Sequence, residues 1–92
     1  MSYNLFIAYD LMTPGQNYEE VRDKIKGLGM WHQFQLSLFY VNTELTPEEA
    51  YAQVAEVMDA NDRLAVINAS GGVVSTWDRP LIDAINTIWI SP

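Results

Sequence analysis

A chain of 92 residues and 10.5 kDa has the size of one small domain. With 5 Lys+Arg against 12 Asp+Glu, its net charge is −7, which argues against binding driven mainly by phosphate neutralisation and against a polybasic membrane-surface role. Cysteine is absent, which excludes disulfides, Cys-ligated zinc and thiol catalysis.

The apolar fraction of 49 % is enough to build a core, so disorder is not expected. Charged residues make up 18 %, below the roughly 25 % usual in soluble domains. Apolar surface is therefore left over, and small domains commonly cover such surface by self-association. The N-terminal residues lack a basic stretch leading into an apolar one, and no apolar run approaches the roughly 20 residues of a membrane-spanning helix. A cytoplasmic location away from membranes is the expectation.

Residues 3–9, aromatic and aliphatic throughout apart from Asn4, predict a buried strand that stops at Asp10. Thr13-Pro14-Gly15-Gln16 predicts a turn, and Asn17 with Glu20 a capping pair. Tyr18, Val21, Ile25 and Leu28 recur at helical spacing opposite Glu19, Asp23, Lys24 and Lys26. Gly27 and Gly29 predict the helix end, with Gly29 in the left-handed terminal position. Residues 31–36 and 37–43 read as two strands tightly joined, with a face switch or bulge near Ser37.

Leu45-Thr46-Pro47-Glu48-Glu49 is the clearest local signal. Thr46 caps, Pro47 takes the first helical position, Glu49 closes a capping box and Leu45 staples onto Ala50. Ala50, Tyr51, Val54, Val57 and Met58 form that helix's predicted apolar face, and the helix should stop near residues 59–61. A strand follows over 63–69. Ser70-Gly71-Gly72 predicts a joint rather than a phosphate loop, since no Lys-Ser/Thr follows it. Residues 73–76 suit a short strand. A helix over about 79–89 carries the stripe Leu81, Ile82, Ile85, Ile88 and Trp89.

The order β-α-β-β-α-β, with helices on one face of an antiparallel sheet, predicts an α+β, ferredoxin-like single domain over 1–92. Its core would occupy 1–70, and 71–92 would be an extension bearing the added C-terminal helix. Joined through Gly71-Gly72, that extension would pack on its own domain or swap onto a partner. Ile85, Ile88, Trp89 and Ile90 form the strongest candidate interface patch for a homodimer.

Several segments together resemble the SinR-like proteins, relatives of the small CRISPR-associated adaptation protein and of the VapD ribonucleases. They are Phe6-Ile7-Ala8-Tyr9-Asp10-Leu11, Pro14-Gly15-Gln16-Asn17-Tyr18, Gly29-Met30-Trp31, Gln35-Leu36-Ser37-Leu38-Phe39 and Asp59-Ala60-Asn61-Asp62-Arg63-Leu64-Ala65-Val66. The resemblance covers roughly residues 3–69. It implies a ferredoxin-like protomer and a homodimer. It also implies that Asp10 matches the strand-end aspartate which, one from each protomer, is proposed to bind Mg²⁺ for phosphodiester cleavage. Relatives that handle nucleic acid carry Arg or Lys around the first helix and the following loop, whereas here that loop is the uncharged Gly29-Met30-Trp31. The reading that follows is a non-catalytic homodimeric scaffold or adaptor with no expected cofactor, open to a further protein partner. Its alternative is an Mg²⁺-dependent nuclease using paired Asp10 as the catalytic and metal-binding residue.

Each candidate residue also has a plainer reading. Asp10 would cap its own loop. Tyr9 belongs to the core or an interface. His32, the lone histidine, is a packed or surface side chain rather than a general base. Ser37 has no nucleophile context. Arg22, Lys24 and Lys26 spread around a helix and read as solvated. The six acidic residues from Glu44 to Asp62 form a solvated face or a docking face for a basic partner. Trp31, Trp77 and Trp89 suit buried contacts better than base stacking, since no basic groove accompanies them.

Overall fold

A computed structural model describes residues 2–12 and 18–69, together with Asp83. The element order is β1 (Tyr3–Asp10), α1 (Tyr18–Lys26), β2 (Met30–Gln35), β3 (Leu38–Thr43), α2 (Pro47–Ala55) and β4 (Arg63–Asn68). The four strands form one antiparallel sheet in the order β2-β3-β1-β4. This small α+β architecture is compatible with a ferredoxin-like arrangement. Among the described residues, no helix is long and apolar enough to cross a membrane.

Alternation along β1 decides where the core lies. Leu5, Ile7 and Tyr9 are buried, while Asn4, Phe6 and Ala8 point to the other face and are only partly covered. Phe39 and Val41 of β3 stand opposite Ile7 and Leu5 and join the same layer. Val21 and Ile25 of α1, with Ala50 and Val54 of α2, complete it from above, so both helices pack on this one face. Burying each such Val, Leu or Ile contributes roughly 1.5–3 kcal/mol. An ion pair between the helical segments, Lys24 Nζ to Glu56 Oε2 at 3.4 Å, joins a partly exposed side chain to an exposed one and adds at most about 1 kcal/mol. Apolar contact, not charge, docks the helices.

The helix ends follow local chemistry. Glu19 and Glu20 lie in the first turn of α1, and Lys24 and Lys26 in the last, each sign matched to the helix dipole. Thr46 Oγ1 accepts the Glu49 N–H while Glu49 Oε1 accepts the Thr46 N–H, a complete capping box ahead of Pro47. Leu45 packs against the core at the same entry.

Four details differ from the sequence expectation. Helix α2 ends at Ala55, short of 59–61, and closes through turn bonds from Val57 N–H to Val54 and from Met58 N–H to Ala55. Tyr51 is 47 % exposed, outside the buried stripe of Ala50 and Val54, because i+1 places it off their face. The bend between β2 and β3 is a true two-residue turn at Leu36-Ser37, and the register shift lies earlier, between Gln33 and Gln35. Gly29 does not adopt the left-handed conformation. It is required because a Cβ there would collide with the backbone carbonyl oxygen of Asn42. The turn at 13–16, the cap at Asn17, the Gly71-Gly72 joint, the strand at 73–76 and the helix over about 79–89 lie outside the described residues, Asp83 excepted.

Candidate functional site

Strand β1 ends at Asp10, and the antiparallel register puts Arg63, the first residue of β4, directly opposite. Ala8 and Ala65 form the next pair on the same face, so small side chains leave a depression there. It is an open hollow of about 260 Å³ lined by Ala8, Tyr9, Asp10, Arg63, Leu64 and Ala65. Asp10 is exposed, and among the described residues its side chain makes no hydrogen bond or ion pair. Its carboxylate oxygens are therefore uncommitted.

Among the described residues no hydrogen bond from Asp10 caps its own loop, which continues into residues 13–17 outside them. The loop after β1 is held from elsewhere: Asp62 Oδ1 accepts the Met12 N–H at 2.9 Å, and Asp62 Oδ2 accepts the Asp59 N–H at 2.8 Å. Nothing local in the sequence signals this partnership, which spans 50 positions.

Tyr9 is a core residue. Its ring is buried near Tyr18 and Phe39, and its hydroxyl donates to the Leu36 carbonyl at 3.0 Å. The Tyr9 N–H donates to the Ser37 carbonyl at 3.1 Å, so Tyr9 holds both residues of the β2–β3 turn. Burial pushes the Tyr9 hydroxyl above its ordinary pKa, against a lowering by the Arg22 charge, and Tyr18 adds a smaller rise. A hydroxyl already donating to a carbonyl, with its proton held more tightly, is poorly suited to nucleophilic or base chemistry.

The other candidates disperse. His32 is partly buried and stacked on Tyr40, with ring centroids 6.4 Å apart and planes 13° apart, which matches the packed reading. Lys26 Nζ lies over the Trp31 ring at 4.5 Å, whereas Lys24 turns to Glu56. These two cations therefore serve separate partners. Among the described residues no group of three or more His, Asp or Glu side chains is placed to hold a metal ion.

Two features were not anticipated from the residues. On the face away from the helices, Asn4 Oδ1 accepts from the Tyr40 hydroxyl at 2.6 Å and from Asn42 Nδ2 at 3.0 Å. The second is the outer edge of β2. Met30 is 60 % exposed, Trp31 38 % and Leu36 66 %, and no Asp, Glu, Lys or Arg occurs from Met30 to Leu36. The C-terminal candidates Ile85, Ile88, Trp89 and Ile90, and Trp77 with them, lie outside the described residues. Comparison with protein families, with characterised proteins and with solved structures finds no match to this chain.

Proposed function

We propose that this chain is a non-catalytic homodimeric scaffold or adaptor, built on a ferredoxin-like protomer with an added C-terminal helix and akin to the SinR-like proteins. The observation that carries the reading is the β2 edge. Exposed edge strands are normally blunted by Lys, Pro or an inward charge. Here Met30–Leu36 carries none of these in its own residues and exposes Met30, Trp31 and Leu36, with the Lys26 ammonium over the Trp31 ring and an irregular register between Gln33 and Gln35. Two copies related by a two-fold axis would pair β2 with β2, satisfying free backbone groups and covering this apolar strip. The acidic segment from Glu44 to Asp62 would remain outside as a face for a basic protein partner.

Light scattering tests the reading. The expected mass is about twice 10.5 kDa, and Trp31→Lys with Leu36→Lys should reduce it to one chain without loss of helical circular dichroism. A wild-type monomer at all concentrations would sink the proposal.

A second reading rests on the uncommitted Asp10 carboxylate. A two-fold axis passing near the end of β1 would bring two such groups together, and paired carboxylates with water are a fitting Mg²⁺ donor set for phosphodiester cleavage. Incubation with RNA and DNA in Mg²⁺ or Mn²⁺ decides it. Cleavage by the wild type that Asp10→Ala abolishes would replace the scaffold reading.

A further inference from the structure

Among the described residues the outer strands of the sheet are β2 and β4. Strand β4 pairs there with β1 on one side, so alternate residues turn their N–H and C=O groups away from β1. Residues 64–68 carry no charge and no proline that would blunt such an edge. Leu64 and Val66 belong to the helix face, and α2 packs against this strand.

Two open hollows lie between α2 and β4. One, of about 260 Å³, is lined by Pro47, Glu48, Tyr51 and Val66. The other, of about 160 Å³, has Tyr51, Met58, Asp59, Asp62 and Leu64 in its walls. Tyr51 is 47 % exposed and lines both, so the hollows are two halves of one groove. Leu64 and Val66, one in each half, are two residues apart, or about 7 Å along the strand. Alternate side chains of an added strand have the same spacing.

Charge decides the occupant. Glu48 lies in one half of the groove, and Asp59 with Asp62 in the other. Among the described residues no Lys or Arg lines either half; Arg63 belongs to the opposite face, in the hollow beside Asp10. A second copy pairing through β4 would set two α2 helices side by side, each with Glu48 and Glu49 and no basic residue. Facing like charges oppose that pairing, whereas a basic strand meets complementary charge.

We infer that the α2–β4 groove takes an extended basic segment of a partner protein, added as a strand beside β4. Its alternate apolar side chains lie over Leu64 and Val66, and its flanking Lys or Arg side chains meet Glu48 and Asp59. The inference rests on the scaffold reading for the existence of a basic partner, but not on pairing through β2. In a dimer paired through β2, both β4 edges would lie at the outer ends, so each protomer would hold one segment.

Nuclear magnetic resonance titration of the nitrogen-labelled full chain tests it. The probe is the end-capped synthetic peptide Lys-Thr-Val-Thr-Val-Thr-Lys, which sets a pair of Val side chains between flanking Lys on one face. Saturable shifts are expected at the amides of Leu64 to Asn68 and of α2. The control Glu-Thr-Val-Thr-Val-Thr-Glu, with the same apolar pattern, should bind at least about tenfold more weakly. Glu48→Gln with Asp59→Asn should remove most of that difference. Equal binding of both peptides by the wild type, shifts confined to Met30–Gln35, or no saturable shift overturns the inference. Concentration-dependent shifts of the β4 amides without peptide also overturn it, since they would put a second copy there. Slow exchange of the outward β4 amides in the free chain does so too, since the chain itself would then cover this edge. Light scattering on the free protein reads the dimer separately, so failure of either result leaves the other standing.

Discussion

The Tyr40 hydroxyl donates to Asn4 Oδ1 at 2.6 Å, tying the two central strands together on the face turned away from the helices. Asn42 Nδ2 donates to the same oxygen, so Asn4 is the shared acceptor of a three-residue bridge. Burial holds the Tyr40 hydroxyl above its ordinary pKa of 10.0, with the Asn42 side chain pulling weakly the other way. A raised acid favours the protonated form in the fold. Its stabilising effect is complete below the unfolded value near 10 and is lost as pH rises through the folded value. Tyr40→Phe should therefore cost about 1 kcal/mol at neutral pH through the lost hydrogen bond. It should also flatten the alkaline loss of stability above pH 10, read by urea denaturation across pH 8 to 12. An alkaline limb unchanged in the variant would show that other groups control it.

Asp62 acts at long range. One carboxylate accepts two backbone N–H groups, from Met12 and from Asp59, and so pins the segment after β1 to the segment before β4. Both bonds are solvent-exposed, so their removal should be modest. Asp62→Ala is expected to lose about 1–2 kcal/mol of stability, with faster hydrogen exchange at the Met12 amide. Asp62→Asn, which keeps one acceptor oxygen, should fall between. Equal stability of all three proteins would remove Asp62 from this role.

Much of the described fold was legible because its signals are local. Thr46 to Glu49 spells a capping box, Val21 with Ile25 spells a helix face, and the apolar run from Leu5 to Tyr9 spells a strand, although not that only alternate residues of it are buried. What was not legible depends on pairs far apart in the chain. Tyr40 and Asn4 are separated by 36 positions and Met12 and Asp62 by 50, and neither spacing has a periodicity to betray it. Tyr51 misled for a different reason: it follows Ala50 in an apolar run, and a run does not reveal which of two adjacent residues the helix turns outward. Asp10 was found at its strand end, but its facing partner Arg63 became visible only through the β1–β4 register.

Gly29 occupies a crossing with no room for a side chain. A Cβ there would clash with the Asn42 carbonyl oxygen, and Leu28 beside it accepts a hydrogen bond from Thr43 Oγ1 at 2.7 Å. Backbone, not a flexible side-chain tip, stands in the way, so relief would require α1 and β3 to separate. Gly29→Ala should cost about 1–3 kcal/mol. Gly27→Ala, whose new Cβ would meet only ordinary contacts with the Lys24 and Asp23 carbonyls at 3.5 and 3.6 Å, should be near neutral or mildly stabilising. Thermal melts of the two variants side by side check the contrast, and a Gly29→Ala protein melting with the wild type would refute the close approach.

The capping box of α2 separates a pH-independent contribution from a pH-dependent one. The Thr46 N–H and then its hydroxyl hold the Glu49 carboxyl below its ordinary value of 4.5. A lowered acid stabilises the fold above its unfolded pKa, and that contribution fades as pH falls through the folded one. Thr46→Ala removes the cap at every pH and should cost about 1 kcal/mol throughout. Glu49→Gln keeps an acceptor for the Thr46 N–H but cannot titrate. It should stay close to wild type at pH 7 and lose less stability than wild type between pH 5 and pH 3. Parallel acid limbs for wild type and Glu49→Gln would mean that this carboxylate does not contribute to acid unfolding.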